Sequence, residues 1–204
     1  MSILFAWTIL ACGFTEPADP PPANRAATAP VLQQTSTERS SNLLFISLDT
    51  VAADHMSLYG GRAEVPNLEK LGRSGVVYTN AYTHFPETAI SHWTMMTGVL
   101  PDVHGNVPAY GTSRYTGPTL AERLHAAGYD TAAFIGGETL TNRSAGLSRG
   151  FNIYDDQYAW NRDDLKRPGN DIAKRSIQWI NRKKKEGKPY FAFVHFFDAH
   201  FPYT

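Results

Sequence analysis

Leu43-Leu44-Phe45-Ile46-Ser47-Leu48-Asp49 is the stretch that decides the fold. A nearly continuous apolar run of this length suits a strand whose two faces are both covered by helices, the arrangement of a parallel α/β sheet. Asp49 then stands at the carboxyl end of the strand, where open α/β sheets place their ligands. About forty residues on, Thr88-Ala89-Ile90-Ser91-His92 opens a helix-like segment, ahead of Thr97-Gly98 and Pro101-Asp102-Val103-His104-Gly105. A carboxylate at a strand end and a hydroxyl at a helix start are the parts with which an α/β enzyme holds a metal beside a nucleophile.

Working outward, strand-like and helix-like segments alternate from Asn42 onward. Residues 43–48, 76–82, 129–135 and 190–197 read as strands, the first and last nearly unbroken in apolar character. Pro66 suits a first helical turn before Leu68 and Leu71. Thr119 and Glu122 are spaced as a capping box before Leu124, with Gly128 as a stop, and Asp171 is placed to cap a helix carrying Ile172, Trp179 and Ile180. The order predicts a layered α/β/α domain around a mainly parallel sheet. Residues 136–164, rich in Gly, Asn, Arg and Asp, read as a long surface excursion.

Composition sets the limits. At 204 residues and 42% hydrophobic, the chain is long enough to bury one substantial core. Lys plus Arg and Asp plus Glu both number 19, so no basic field exists to track a nucleic-acid backbone, and nucleic acid is excluded as a partner class. Lys183-Lys184-Lys185 closes a predicted helix just before Gly187, where cations complement the helix dipole. Cys12 is the single cysteine, which rules out an internal disulfide and a cysteine-based metal cluster.

The surroundings of Cys12 point elsewhere. A short apolar stretch from Ile3 to Ala11 leads into Cys12-Gly13, followed by a Pro, Ala and Thr-rich stretch. The run is too short to span a bilayer and resembles a bacterial lipoprotein signal, with Cys12 as the lipidated residue. The absence of Lys or Arg near Met1 departs from that pattern. The domain plan is thus residues 1–12 as signal, 13–41 as tether and 42–204 as the globular part, in an exported protein anchored to the membrane of a bacterial envelope or periplasm. A chance hydrophobic N-terminus on a cytoplasmic protein is the alternative.

Several motifs then fall in register. Asp49-Thr50-Val51-Ala52-Ala53-Asp54-His55-Met56-Ser57-Leu58-Tyr59-Gly60, Val65-Pro66-Asn67-Leu68, Thr79-Asn80-Ala81-Tyr82, Ser91-His92, Thr97-Gly98, Pro101, His104-Gly105, Thr119-Leu120-Ala121-Glu122, Gly128-Tyr129 and Asp198-Ala199-His200-Phe201-Pro202-Tyr203 are similar to the sulfatase family of the alkaline phosphatase superfamily. The similarity runs in order from about Asn42 to the last residue. It implies an alkaline-phosphatase-like fold and hydrolysis of sulfate or phosphate esters at a divalent metal, calcium or else manganese, zinc or magnesium.

Such an ester repels nucleophiles, so a hard cation held by carboxylates is needed to neutralise its oxygens and ionise a nucleophile. The resemblance makes Asp49 a metal ligand and Thr88 both nucleophile and metal ligand. Thr88 occupies the place of the Cys or Ser that relatives convert to formylglycine. Its Cβ already bears a methyl, so oxidation would give a ketone, and direct attack by a metal-activated alkoxide is the implied chemistry. A helix N-cap is the structural alternative for Thr88, and Asp49 has one as a strand-end turn cap. His92, one turn beyond Thr88, matches a residue that steadies the nucleophile or a substrate oxygen. His200 matches one that contacts the transferred group or protonates the leaving oxygen. Asn106 is the one candidate for a substrate-binding amide. His195, inside a strand, reads as a hydrogen-bonded core histidine. Asp54, His55 and His104 read as turn formers.

Three departures shape the expectation. Thr50 stands where many relatives carry a second Asp, Ile90 where they carry Pro, and His92 where they carry Arg. The family completes its metal site with an Asp-His pair on a later strand, whereas this sequence closes at Phe201-Pro202-Tyr203-Thr204 inside a motif. The 204 residues are therefore expected to be an N-terminal portion with half a metal site, inactive alone. A catalytically inactive ester-binding or structural lipoprotein, and a transferase of phosphoryl-linked headgroups, are the other functions the pattern admits.

Overall fold

The computed structural model of the chain describes the backbone of residues 2–7 and residues 41–105, 113–157 and 166–201. Among the described residues five strands form one sheet in the order β1-β2-β5-β3-β4: β1 (Ser2–Trp7), β2 (Leu43–Leu48), β3 (Asp130–Ile135), β4 (Ile153–Asp155) and β5 (Tyr190–Phe196). Every pairing is parallel. The apolar start expected as an export signal pairs along β2 through Ser2–Trp7, and the tether and Cys12 lie outside the described residues.

Helices cover both faces, as the apolar strands require. On one side α2 (Thr88–Thr97), α4 (Leu120–Ala126) and the turn structure after β3 enclose Phe45, Trp93, Met96, Ala133, Ile135, Phe191 and Phe193. On the other, α6 (Gly169–Glu186) lays Ile172 and Trp179 on Ala132, Phe134, Tyr190, Ala192 and Val194. The alternation along β5 assigns the faces: Phe191, Phe193 and His195 look toward α2, Ala192 and Val194 toward α6. The short helix α3 (Pro101–His104) packs on α2, and α1 (Pro66–Arg73) lies against the 3-10 turn Ser57–Tyr59.

The helix ends follow their local chemistry. The Thr119 hydroxyl accepts from the Glu122 N–H at 3.1 Å while the Thr119 N–H donates to the Glu122 carboxylate at 2.8 Å, the capping box read from the sequence. Gly187 terminates α6 in the left-handed region, with Lys183 in the last turn donating to Asp130 and Glu186. Asp171 does not cap α6: the helix begins two residues earlier, at Gly169, whose N–H is taken at 2.8 Å by the Asp198 carboxylate from beyond β5.

Two expectations fail. Residues 76–82 form no strand; Val76, Tyr78 and Tyr82 are 77%, 70% and 74% exposed, because apolar content makes a strand only where a sheet edge is there to pair with it. The stretch after β3 is more than a surface excursion. Leu140, Ala145 and Leu147 sit in the α2-side core, while the polar residues close local turns: Thr141 caps α5 (Asn142–Ala145), and the Tyr154 hydroxyl donates to the Leu140 carbonyl at 2.6 Å. Leu140→Ala is accordingly expected to lower the unfolding free energy by about 2–5 kcal/mol in urea titration. A loss below about 1 kcal/mol would return this stretch to the surface.

Candidate active site

The site grows from the register of two neighbouring parallel strands. Phe45 aligns with Phe193 and Ser47 with His195, so the α2-facing side of the sheet is aromatic in its middle and turns polar toward its carboxyl edge. Asp49 follows one step beyond β2, its N–H donating to the Phe196 carbonyl at 3.0 Å and the residue only 2% exposed. Thr50, immediately after, takes φ +55°, a left-handed conformation that costs a β-branched residue about 1–2 kcal/mol. Its hydroxyl donates to the Asp49 carbonyl at 2.8 Å.

Thr88 faces this edge from α2. It is the first helical residue; the N-cap is Glu87, whose side chain makes no capping bond. Its hydroxyl is free of capping duty and donates to Oδ2 of Asp49 at 2.9 Å. His92, one turn on, is fully buried and spends both ring nitrogens. A backbone carbonyl only accepts, so Nδ1–H donates to the Thr88 carbonyl at 2.7 Å, and Nε2 accepts from the Ser47 hydroxyl at 2.8 Å. His92 thereby fixes the backbone of Thr88 from beneath.

His195 is also fully buried, its ring edge-on to His92 at 5.3 Å and tilted against Phe197. Nε2 lies 3.3 Å from Oδ2 of Asp49, and among the described residues Nδ1 has no hydrogen-bond partner. Reading His195 as a hydrogen-bonded core residue therefore captured its burial but missed its partner. The signal was the pairing of two apolar strands that each turn polar at the same level, Ser47 in one and His195 in the other.

His200, past β5, is partly exposed and stacks on Phe197 at 4.3 Å and 13°. Its N–H donates to the Phe197 carbonyl at 3.1 Å, and Nδ1–H donates to the Phe201 carbonyl at 2.5 Å. The Asp198 bond to α6 steadies the same turn. A cavity of about 210 Å³ opens between the ends of β2 and β5, lined by Leu48, Asp49, Val51, Phe196, Asp198 and Ala199. A larger one, about 370 Å³, runs along α2 and the loop before it without reaching Asp49 or Thr88. Asp54 and His55 bond to each other at the surface within the 3-10 turn Ala53–His55. His104 is buried and joins Thr94 at 3.1 Å, tying α3 to α2. Asn106 lies outside the described residues.

Asp49 and Thr88 offer a carboxylate and a hydroxyl, the oxygen donors that hard divalent cations select. The fit is right in kind and short in number: among the described residues no group of three or more His, Cys, Asp or Glu side chains gathers for a metal, and such ions take about six to eight oxygens.

Burial works to raise the Asp49 pKa. It is outweighed by the hydrogen bond from His195, the charge that His195 and His92 carry when protonated, and the Thr88 hydroxyl, so the carboxyl stays below its ordinary value. For His92, burial and the neighbouring His195 outweigh the pull of Asp49 and the Thr88 carbonyl and push the pKa down to about 4. Between about pH 6.5 and 4 the unfolded chain therefore binds a proton at His92 that the folded chain refuses, so stability falls as pH falls through that window. Urea titrations of the metal-free chain are expected to show an acid limb on the order of 3 kcal/mol that flattens in His92→Gln. An unchanged limb in that variant would contradict the buried neutral imidazole.

A model of the sulfatase family matches residues 41–204. An arylsulfatase of Clostridium perfringens is 32% identical over 92 residues, which cover 44% of this chain and 19% of the relative. Among solved structures, a protein in complex with its substrate D-glucosamine-2-N,6-O-disulfate superposes with a TM-score of 0.67 at 20% identity, covering 82% of this chain and 36% of that one. A protein in the alkaline phosphatase superfamily from Vibrio parahaemolyticus superposes with a TM-score of 0.65 at 21% identity, covering 82% and 42%. The chain thus spans less than half the length of each of these relatives. With the family model matching well over half of its residues and the mainly parallel α/β fold agreeing with these solved structures, the chain belongs to the sulfatase family.

Proposed function

We propose that this chain carries the nucleophile of a sulfate- or phosphate-ester hydrolase, with Thr88 as the attacking group. The observation that carries the reading is the 2.9 Å hydrogen bond from the Thr88 hydroxyl, at the first position of α2, to Oδ2 of Asp49 at the end of β2. Thr88 Oγ bonds to the sulfur or phosphorus as the bond to the ester oxygen breaks, and the proton that leaves the hydroxyl for solvent is balanced by the one that the departing ester oxygen takes up. Asp49, held below the ordinary carboxylate range, is a weak base near neutrality, so it orients the hydroxyl more than it removes the proton. A divalent cation, calcium or alternatively manganese, zinc or magnesium, held by Asp49 and Thr88 with further ligands, would lower the hydroxyl pKa and offset the charge of the ester oxygens. His92 keeps the Thr88 backbone in place, and His200, on the exposed turn after β5, is the group offered to the transferred group or leaving oxygen.

Substrate class follows from the nucleophile. A threonine ester must be hydrolysed by water at the same sulfur or phosphorus, a routine second step for phosphoryl groups, whereas a formylglycine hydrate releases sulfate through its second hydroxyl. Phosphate esters are therefore expected to react at least as well as sulfate esters, and a sulfated sugar like that bound by one structural relative is within the class. Catalytic inactivity, with retained ester binding, is the second reading; Thr50 in place of a second carboxylate favours it.

In the natural protein that carries this chain, Thr88→Ala is expected to lower aryl-phosphate and aryl-sulfate turnover by at least roughly a thousandfold with the fold intact, and Thr88→Ser to retain a measurable fraction. Equal turnover of Thr88→Ala and parent at matched metal loading would refute the nucleophile. Export with a lipid on Cys12 belongs to the same proposal, supported by the short apolar run before it and the Pro, Ala and Thr-rich stretch after it. Cell fractionation is expected to find the parent with membranes and Cys12→Ser released, and equal soluble recovery of both forms with an unmodified Met1 would refute the anchor.

A further inference from the structure

Among the described residues Asp49 receives two hydrogen bonds from side chains, and both fall on the same oxygen. Thr88 donates to Oδ2 at 2.9 Å and His195 reaches it at 3.3 Å, while among the described residues no hydrogen bond is made to Oδ1. An ionised carboxylate only accepts, so the His195 proton on that side sits on Nε2. No partner among the described residues holds a proton at Nδ1, and a buried N–H without an acceptor is costly. The ring is pinned by three neighbours: His92 edge-on at 5.3 Å, Phe193 at 6.4 Å and Phe197 at 5.8 Å. It has no freedom to seek another acceptor.

We propose that His195 is a positioning residue: as the Nε2–H tautomer it holds Oδ2 of Asp49 beside the Thr88 hydroxyl and leaves Oδ1 uncommitted for a cation. His195 touches neither substrate nor the reacting hydroxyl; it acts through Asp49. The register explains why a strand histidine reaches this far. Ser47 and His195 are aligned partners on β2 and β5, and Asp49 lies two residues after Ser47 on the same face, so an imidazole is long enough to span from β5 to the carboxylate diagonal to it. Ser47, the aligned partner, is occupied with His92 instead, so the two histidines divide the work. His92 fixes the backbone of the nucleophile, and His195 fixes the carboxylate to which its hydroxyl points.

The tautomer is independent of any activity and is tested in the full chain without metal, by proton–nitrogen NMR of histidine-labelled protein. His195 is expected to give one set of signals with a pyrrole-type, protonated Nε2 and a pyridine-type Nδ1, and Asp49→Ala is expected to erase that single-tautomer pattern. A protonated Nδ1 in the neutral ring, or a pattern indifferent to Asp49→Ala, would overturn the inference. The kinetic half rests on the reading of Thr88 as nucleophile and uses the natural protein loaded with manganese. His195→Phe, which keeps ring volume but has no donor, is expected to lower both manganese affinity in calorimetry and kcat by roughly 10- to 100-fold with little change in KM. His195→Gln, which restores an N–H, is expected to recover most of that loss. Equal loss in both variants would mark His195 as merely structural. If His195→Phe turns over like the parent while Thr88→Ala does not, positioning fails and the nucleophile stands. If Thr88→Ala retains turnover, the nucleophile fails and the tautomer result alone decides for His195.

Discussion

The Thr88 hydroxyl and the Asp49 carboxylate meet because a helix start and a strand end are held at one edge of the sheet, and much of the α2 side serves that meeting. The hydrogen bond between them is 2.9 Å long and spans 39 residues of sequence. It forms only if β2 and α2 keep their relative height, which the aromatic packing of Phe45, Trp93, Phe191 and Phe193 sets. It also needs a Thr88 hydroxyl free of capping duty, and α2 begins one residue after Glu87 with no side-chain cap at all. Foregoing such a cap costs a helix about 1 kcal/mol, a stability sacrifice placed where the hydroxyl has other work.

Beneath this pair lies a buried polar cluster in an otherwise aromatic layer. Ser47, His92 and His195 are fully buried, a location that penalises polar groups unless their hydrogen bonds are made. Ser47 and His92 satisfy each other and the Thr88 carbonyl, whereas His195 satisfies Asp49 and leaves one nitrogen without a partner among the described residues. Thr50 adds backbone strain directly after Asp49. Uncapped helix start, half-satisfied histidine and strained threonine gather at one place, and structure that gives up stability locally is a mark of a functional site.

Much of the fold was legible in the sequence, for identifiable reasons. The unbroken apolar runs of β2 and β5 can only be buried between two helical layers, and the Thr119–Glu122 box and Gly187 announce their helix ends by local chemistry. Residues 76–82 misled because strand formation needs a partner edge, which no local pattern reports. The stretch after β3 misled because its polar residues serve turns while Leu140, Ala145 and Leu147 go inward. Of the site, Asp49 and Thr88 could be named from position and motif, but their contact could not. The partnership of His195 with Asp49 depends on the register between β2 and β5, a long-range property that periodicity within one strand does not carry.

The central claim is that the hydroxyl held on Asp49 is the atom that attacks. Rapid quenching of the natural protein during turnover of an aryl phosphate, followed by peptide mass mapping, tests it most directly. The account predicts a phosphoryl group on the peptide carrying Thr88, absent from Thr88→Ala and chased away by excess unlabelled substrate. Turnover with no covalent adduct at Thr88, or an adduct on another residue, would contradict it.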